Sequence, residues 1–576
     1  MASINSTVSP QDLGAGPRLV LEQRPSGGRA AKSYIPAWME WAWIAAIVAL
    51  FAVHAVHLRA DFPNYSPWMD YAKYTDEGWY GNGAIEAFLR GSWYVPGDFN
   101  SAVALPVLPV LEWVLFRFTG VSVVAARALA VGIFGASLWM TYRLVLTSPR
   151  RMPFALESSA PIEEIEGGQP RWVALLAATL LAASSFLYCF GRLAILEPLV
   201  IFFLLLSWLL ALGSGSAGGA GLRRSWNIQA TWLIAIGLVL CLMVLTKTTA
   251  VVLLPSVFYL VWQANRGRTL KACSAVLLAM VLPLCAYYYL LVRPHYLVDF
   301  KYFFTANVYQ QPTTAFGWMM AFWYAIHGGF WMDRTLFLLG VALVLASALW
   351  IRGLWRNPLY VAAVLAAALQ IFFIGYHNNM QPRYYTVAAF PLCMLVALGA
   401  EALLRRQRAL GTITLAIVAL SAMLNARHII GYTRHPQYTF VSAAQNLTRY
   451  IDQHPNGNRL LLSISGNEIG LITGLPAICD DFGTLDLPLR IHKYQPGWYA
   501  AWNELDPGTL EDLHTQFRLE QVARFPAFDD VDRNVLILYK MHPLPLSQQR
   551  LDSDDGKDDG QGDVGVVTDS PSDDSK

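Results

Sequence analysis

Charge is what this chain has least of. Of 576 residues only 14% are Asp, Glu, Lys or Arg, while 55% are hydrophobic. A soluble domain carries roughly 25% charge, and a chain of this size with so little cannot cover a water-facing surface. That excludes a plain soluble enzyme and a disordered regulator. No strongly basic block occurs, which argues against a nucleic-acid partner. Cysteine is scarce too. Cys189, Cys241, Cys273, Cys285 and Cys393 lie in apolar runs and only Cys479 in a polar one. There is no CxxC pair, so neither a disulfide framework nor a cysteine metal site is indicated. No repeat of solenoid period is visible.

Long apolar runs are abundant. A bilayer-spanning helix needs roughly 20 mainly apolar residues, and about eleven candidates occur, several of them short. They lie near 41–58, 127–147, 172–190, 193–212, 230–246, 249–264, 272–292, 335–351, 357–375, 385–404 and 410–426. Aromatics reach 13%, with 20 Trp, as expected where rings anchor at membrane interfaces. The first run follows some 40 mostly polar residues and has no small-residue cleavage site, unlike a signal peptide.

Lys and Arg orient the spans. With the N-terminus cytoplasmic, every basic cluster falls inside, from Arg18–Lys32 to Arg405/Arg406/Arg408. The loops 59–126, 191–192, Lys247, 293–334 and 376–384, and the chain beyond about 427, then lie outside. Residues 106–120 are apolar but short and carry Glu112 and Arg117, so they read as an interfacial or re-entrant helix within the first external loop.

The expected fold is a polytopic α-helical membrane protein plus a small C-terminal extracytoplasmic α/β domain. The segments are a cytoplasmic tail over 1–40, a membrane domain over 41–426, the α/β domain over 427–547 and an acidic disordered tail over 548–576. Within 434–547 helical runs alternate with short apolar strands. The last 25 residues hold nine Asp against two Lys. Residues 213–221 read as a flexible linker. Asn64 and Asn446 begin acceptor sequons on the outer side.

Charges beside apolar runs are costly and therefore informative. Asp76 and Glu77 sit among aromatics and glycines in the first external loop. Asp76 either caps an interfacial helix or takes a proton from a hydroxyl. Arg192 and Glu197 flank the turn between two spans, as an ion pair or as the lining of an outward-opening cavity. Lys247, flanked by Thr246 and Thr248, either snorkels or holds a phosphate. His377, Arg383 and Tyr384 lie between two outer span ends. Arg383 offers a planar fork for phosphate oxygens, or the stretch is only a loop with interfacial tyrosines. The aromatic-rich loop 293–334 either lies on the membrane surface, gates a lipid tail, or stacks on sugar rings. All these clusters fall on one face under an orientation read only from Lys and Arg. Together they suit a lipid-linked phosphate or pyrophosphate and a hydroxyl to be activated.

Three motifs carry a resemblance. They are Asp76-Glu77 before an interfacial helix, Arg192-Leu193-Ala194-Ile195-Leu196-Glu197-Pro198 between two spans, and Gln381-Pro382-Arg383-Tyr384 before a span containing Pro391. As an ordered set over about 41–405, they resemble the C-type superfamily of polytopic glycosyltransferases. The nearest groups are the dolichyl-phosphate-mannose–protein mannosyltransferases and the lipid A aminoarabinose transferases. The resemblance implies a bundle of about eleven to thirteen helices, a polyprenyl-phosphate sugar donor and a first-loop acidic base. By position that base is Asp76, with Glu77 beside it. Glu197 departs from the Asp that the family more often has.

The implied mechanism is inverting glycosyl transfer on the outer face of a cell membrane. Arg192, Lys247 and Arg383 hold the phosphate, Asp76 acts as base, and Glu197 orients the acceptor or Arg192. No metal is required by this scheme, although paired carboxylates could hold a divalent ion through waters. The acceptor is left open. Two competing classes remain: a transporter or flippase of a lipid-linked sugar, and a membrane anchor that presents the C-terminal domain.

Overall fold

The computed structural model describes residues 35–63, 68, 70–149, 168–214, 226–306, 311–528, 530, 533–545 and 547. The sequon at Asn64, most of the N-terminal tail, the linker after 214 and the acidic tail lie outside the described residues.

The membrane part is a helical bundle. Helix α1 (Ala37–Val53) leads into a long loop that contains α2 (Asp76–Leu89) and α3 (Val107–Thr119). Then follow α4 (Val123–Thr147), α5 (Arg171–Ala182), α6 (Ser185–Phe190), α7 (Leu196–Gly213), α8 (Trp226–Thr246), α9 (Leu254–Ala264) and α10 (Thr269–Tyr287). A second, aromatic-rich segment holds α11 (Arg293–His295), α12 (Leu297–Ala306) and α13 (Ala315–Gly328). The bundle closes with α14 (Phe330–Leu349), α15 (Pro358–His377), α16 (Thr386–Arg406) and α17 (Arg408–Arg434).

Eight of the described helical stretches are long and apolar enough to cross a membrane. Three shorter apolar helices, Ala37–Val53, Arg171–Ala182 and Thr248–Ala264, stand where short spans were expected. The chain is a multi-pass membrane protein. Helix α3 has 13 residues and is therefore about 20 Å long, too short for a hydrocarbon core of roughly 30 Å. It packs inside the loop, with Glu112 fully buried.

Burial follows composition. Helix α16 is central and buried almost throughout, because its five alanines and Gly399 let neighbours approach. A Cβ on Gly340 of α14 would meet Leu392 of α16 at 2.3 Å. By contrast α10 exposes Leu277, Leu278 and Leu282, as a lipid-facing helix does.

Helix α17 runs to Arg434, beyond the expected span end at 426. The C-terminal unit follows: α18 (Thr439–Gln453), β1 (Leu461–Leu462), α19 (Gly466–Thr473), β2 (Ala477–Ile478), α20 (Leu487–Tyr494), β3 (Trp498–Trp502), α21 (Pro507–His514), β4 (Phe517–Pro526) and β5 (Val535–Pro543). The five strands are ordered β2-β1-β3-β5-β4. β1 pairs parallel with β2 and β3, while β5 pairs antiparallel with β3 and β4. Successive side chains alternate faces. Leu461, Trp498, Ala500 and Leu538 therefore join α18 and α19 in one core, while Leu462, Tyr499, Ala501 and Ile537 join α20 and α21 in another.

This domain sits on the long loop that follows α1. Asp61 accepts from the backbone N–H groups of Phe440 (2.9 Å) and Val441 (3.0 Å) at the start of α18. Trp79 Nε1 donates to the Ile464 carbonyl (3.1 Å), and Gly78 N donates to Glu468 Oε2 (2.7 Å). A Cβ on Gly78 would lie 2.2 Å from Glu468 N, so α2 and α19 touch backbone to backbone.

Candidate active site

The site is built where α2, α7, α15 and α16 meet. Thr75 is the N-cap of α2 and Asp76 its first helical residue, which puts the carboxylate at the positive end of the helix. Asp70 opens a short 3-10 turn and accepts from Ala72 N (2.9 Å). Arg383 lies in a second 3-10 turn, Pro382–Tyr385, that leads into α16. Its backbone N donates to Asp70 Oδ2 (3.0 Å), Nη1 pairs with Asp70 Oδ1, and Nη2 lies 2.8 Å from Asp76 Oδ2. Two buried carboxylates thus share one buried guanidinium. Burial pushes the Asp76 carboxyl up to about 6 against the pull of Arg383, and the nearby charges of Asp70 and Glu197 push it the same way.

A second ion pair stands beside the first. Glu197, in the first turn of α7, is fully buried and pairs with Lys247, which precedes the 3-10 turn Thr248–Leu253. Lys247 Nζ lies 4.1 Å from the ring centre of Tyr384, and the Arg383 guanidinium lies 4.9 Å from the same ring. One aromatic ring therefore contacts both cations. A cavity of about 330 Å³ opens over this group, with Tyr80, Leu196, Lys247, Thr249, Phe303, His377 and Tyr384 in its wall. A smaller space beneath it is lined by Glu197, Gln370 and Phe373. Two buried polar atoms here, Glu197 Oε2 and Arg383 Nε, have no hydrogen-bond partner among the described residues. Such atoms are uncommon in native interiors and mark places where water or a ligand belongs.

The structure thus brings together Asp76, Glu197, Lys247, His377, Arg383 and Tyr384. It separates the other two expected residues. Arg192 does not pair with Glu197, as the sequence spacing suggested. The turn after α6 leaves Arg192 donating to Tyr188 Oη (2.6 Å) and the His57 carbonyl (2.5 Å). There it lines a different small cavity with Asp61, Arg127 and Tyr432, while Glu197 points to Lys247. Glu77 is also engaged elsewhere. It takes Arg127 through Nε (2.8 and 3.1 Å) and Nη2 (2.5 Å), and accepts from Ala194 N (2.8 Å). Its carboxylate ties α2 to α4 and to the 191–195 turn.

Sequence reasoning missed Asp70, Tyr80 and Arg127. Tyr80 follows Asp76 by four residues, the spacing that shares a helix face. Arg127, inside the apolar run AARALAVG, carried the usual signal of an intramembrane charge. Nothing distinguished Asp70 from any loop aspartate. Among the described residues no group of three or more His, Cys, Asp or Glu side chains converges as metal ligands would.

Residues 165–304 match the model of the dolichyl-phosphate-mannose-protein mannosyltransferase family. No curated protein sequence matches the chain. Among solved structures, ArnT from Cupriavidus metallidurans bound to undecaprenyl phosphate is 12% identical. The match covers 88% of this chain and 98% of that one, with a TM-score of 0.55. The apo oligosaccharyltransferase of Archaeoglobus fulgidus is 11% identical, with 83% and 71% covered and a TM-score of 0.51. The chain therefore shares its fold with the C-type polytopic glycosyltransferases, the superfamily that its loop and span motifs resemble.

Proposed function

We propose that the chain is a membrane glycosyltransferase that moves a sugar from a polyprenyl-phosphate carrier to an acceptor hydroxyl on the extracytoplasmic face. The observation that carries this reading is the cavity walled by Lys247 and Tyr384, with Arg383 against the ring of Tyr384 and paired to Asp76. Two cations at membrane depth suit a lipid phosphate. The orientation follows from the Lys and Arg loops, which put this cavity and the 435–547 domain outside and the N-terminus in the cytoplasm.

Each cation now has a carboxylate partner. An incoming phosphate replaces those partners, taking Lys247 and the unused Nε of Arg383, and so frees Asp76 and Glu197. The Asp76 carboxylate then accepts the proton of the acceptor hydroxyl. The acceptor oxygen bonds to the anomeric carbon from the face opposite the phosphate, with inversion. The bond between anomeric carbon and phosphate oxygen breaks, and polyprenyl phosphate leaves with the electron pair, its charge offset by Lys247 and Arg383. Before the phosphate arrives, Glu197 holds Lys247 in position. Glu77 and Arg192 act as positioning residues for α2 and the 191–195 turn.

The test supplies labelled polyprenyl-phosphate sugars to proteoliposomes holding the wild type or Asp76→Asn. Transfer by the wild type that is lost in the variant supports the reading. Carrier flipping without sugar release by either protein overturns it in favour of a transporter.

A further inference from the structure

A second cavity, of about 400 Å³, lies between α6, the α13–α14 junction and α17. It shares no lining residue with the one that holds Lys247. Its inner wall is a polar network. Asp333 Oδ2 accepts from Ser421 Oγ (2.5 Å) and Asn425 Nδ2 (2.5 Å), and Oδ1 accepts from Leu336 N (2.9 Å). Asn425 Oδ1 in turn accepts from Ser185 Oγ (2.7 Å). His327 and His428 add imidazoles, and Trp68, Phe330 and Trp331 add aromatic faces. Among the described residues no Lys or Arg lines this space or pairs with Asp333.

The two cavities therefore differ in sign. The first offers the Lys247 ammonium and suits a phosphate. The second offers a carboxylate, which repels a phosphate, and imidazoles, which accept from or donate to hydroxyls. Its size falls in the usual range for small-molecule sites. None of its lining comes from the outer α/β domain; apart from Trp68 its walls come from α6, the α13–α14 junction and α17. A soluble macromolecule would have to reach below the membrane surface to enter, whereas a lipid head group is already at that depth. The cavity is also wired to the candidate active site. Trp68 Nε1 donates to the Trp331 carbonyl (3.1 Å) and stands two residues before Asp70, which holds Arg383. The Trp331 ring lies 5.4 Å from that of Tyr385, two residues after Arg383.

We infer that this second cavity takes the acceptor, a lipid of the outer leaflet whose head group is uncharged and rich in hydroxyls. Asp333 and His428 contact its hydroxyls, Asn425 holds Asp333 in place through its own satisfied amide, and Trp68 and Trp331 face its sugar ring. The inference rests on the transferase reading and specifies the second substrate.

The experiment uses the full chain in nanodiscs with three photoreactive probes: a monoglucosyl diacylglycerol, a phosphatidylglycerol and a polyprenyl phosphate. The proteins are wild type, Asn425→Leu, His428→Trp (which adds bulk to the space) and Lys247→Gln. The glycolipid is expected to label peptides of α14 and α17. Its apparent affinity should fall roughly tenfold or more in Asn425→Leu and His428→Trp, with polyprenyl phosphate labelling unchanged. Lys247→Gln should show the reverse pattern. Unchanged polyprenyl phosphate labelling also shows that each variant is folded, and His428→Trp decides the matter if Asn425→Leu does not fold. Glycolipid labelling that maps elsewhere, ignores both substitutions, or is weaker than that of phosphatidylglycerol overturns the inference. Failure of the wild type to take polyprenyl phosphate would remove the donor reading, while the glycolipid arm would still decide what this cavity holds.

Discussion

Two buried arginines stand on the two sides of α2 and differ in how their donors are used. Arg127 is saturated. Nε and Nη2 go to Glu77, and Nη1 goes to the carbonyls of Leu58 (2.9 Å) and Ala60 (2.5 Å). Arg383 has two carboxylates yet keeps Nε unused, against the ring of Tyr384, which itself lines a cavity. A guanidinium with every donor engaged holds parts of a protein together. One left with a buried, unengaged donor still has binding capacity. Neither burial nor the presence of an ion pair separates the two, because both residues have these.

The comparison breaks most visibly at Arg127. Arg127→Leu strands the buried Glu77 carboxylate, and losing one partner of a buried pair costs about 3–5 kcal/mol. The expected outcome is a large drop in melting temperature of the purified protein, with Glu77→Leu added to Arg127→Leu restoring part of it. Arg383 predicts the opposite division. Asp76→Asn should leave melting nearly unchanged and lower transfer by about 10²–10⁴-fold, the usual worth of a positioned base. In the wild type, transfer should rise with pH through an inflection near 6, because the base must be unprotonated and burial holds Asp76 up to about 6. Arg383→Lys keeps the charge but loses the planar fork. A cost of about 1.5–3 kcal/mol is expected in polyprenyl phosphate affinity, as for hydrogen bonds to charged groups. Equal loss of melting temperature in Arg383→Lys and Arg127→Leu would erase the distinction between the two sites.

The smallest effect concerns the buried acids of α2, α3 and α19. Burial pushes the carboxyls of Glu112 and Glu468 well up, and that of Glu86 up to about 7 despite its pair with Arg90. The folded state therefore holds protons that the unfolded state releases. Stability of this region should fall as pH rises from about 4 to about 7 and be lower at 8 than at 5. Hydrogen exchange of α2, α3 and α19 should be slower at pH 5 than at pH 8, with no comparable change in α16.

The bundle was largely legible in the sequence, because span length and apolar composition are local properties. Each expected apolar run is helical, although 172–190 is split into α5 and α6, and 106–120 lies within the first loop. The pairing of charges was not legible. Lys247 and Glu197 are 50 residues apart, and Arg383 and Asp70 are 313 apart. Only packing decides that Glu197 turns toward Lys247 and not toward Arg192, five residues away. Glu77 looked equivalent to its neighbour Asp76. Helix geometry sets adjacent residues about 100° apart, and that rotation sends one carboxylate toward Arg383 and the other toward Arg127.

The backbone contact between Gly78 and Glu468 joins residues 390 positions apart. Ribosomes add roughly 5–20 residues per second, so this interval takes about 20–80 s. Throughout it the acidic helix has entered the membrane system without the surface that will cover it. The contact that covers Gly78 can therefore form only after the C-terminal domain has been made. A chain cut short before residue 468 lacks the backbone that packs against Gly78.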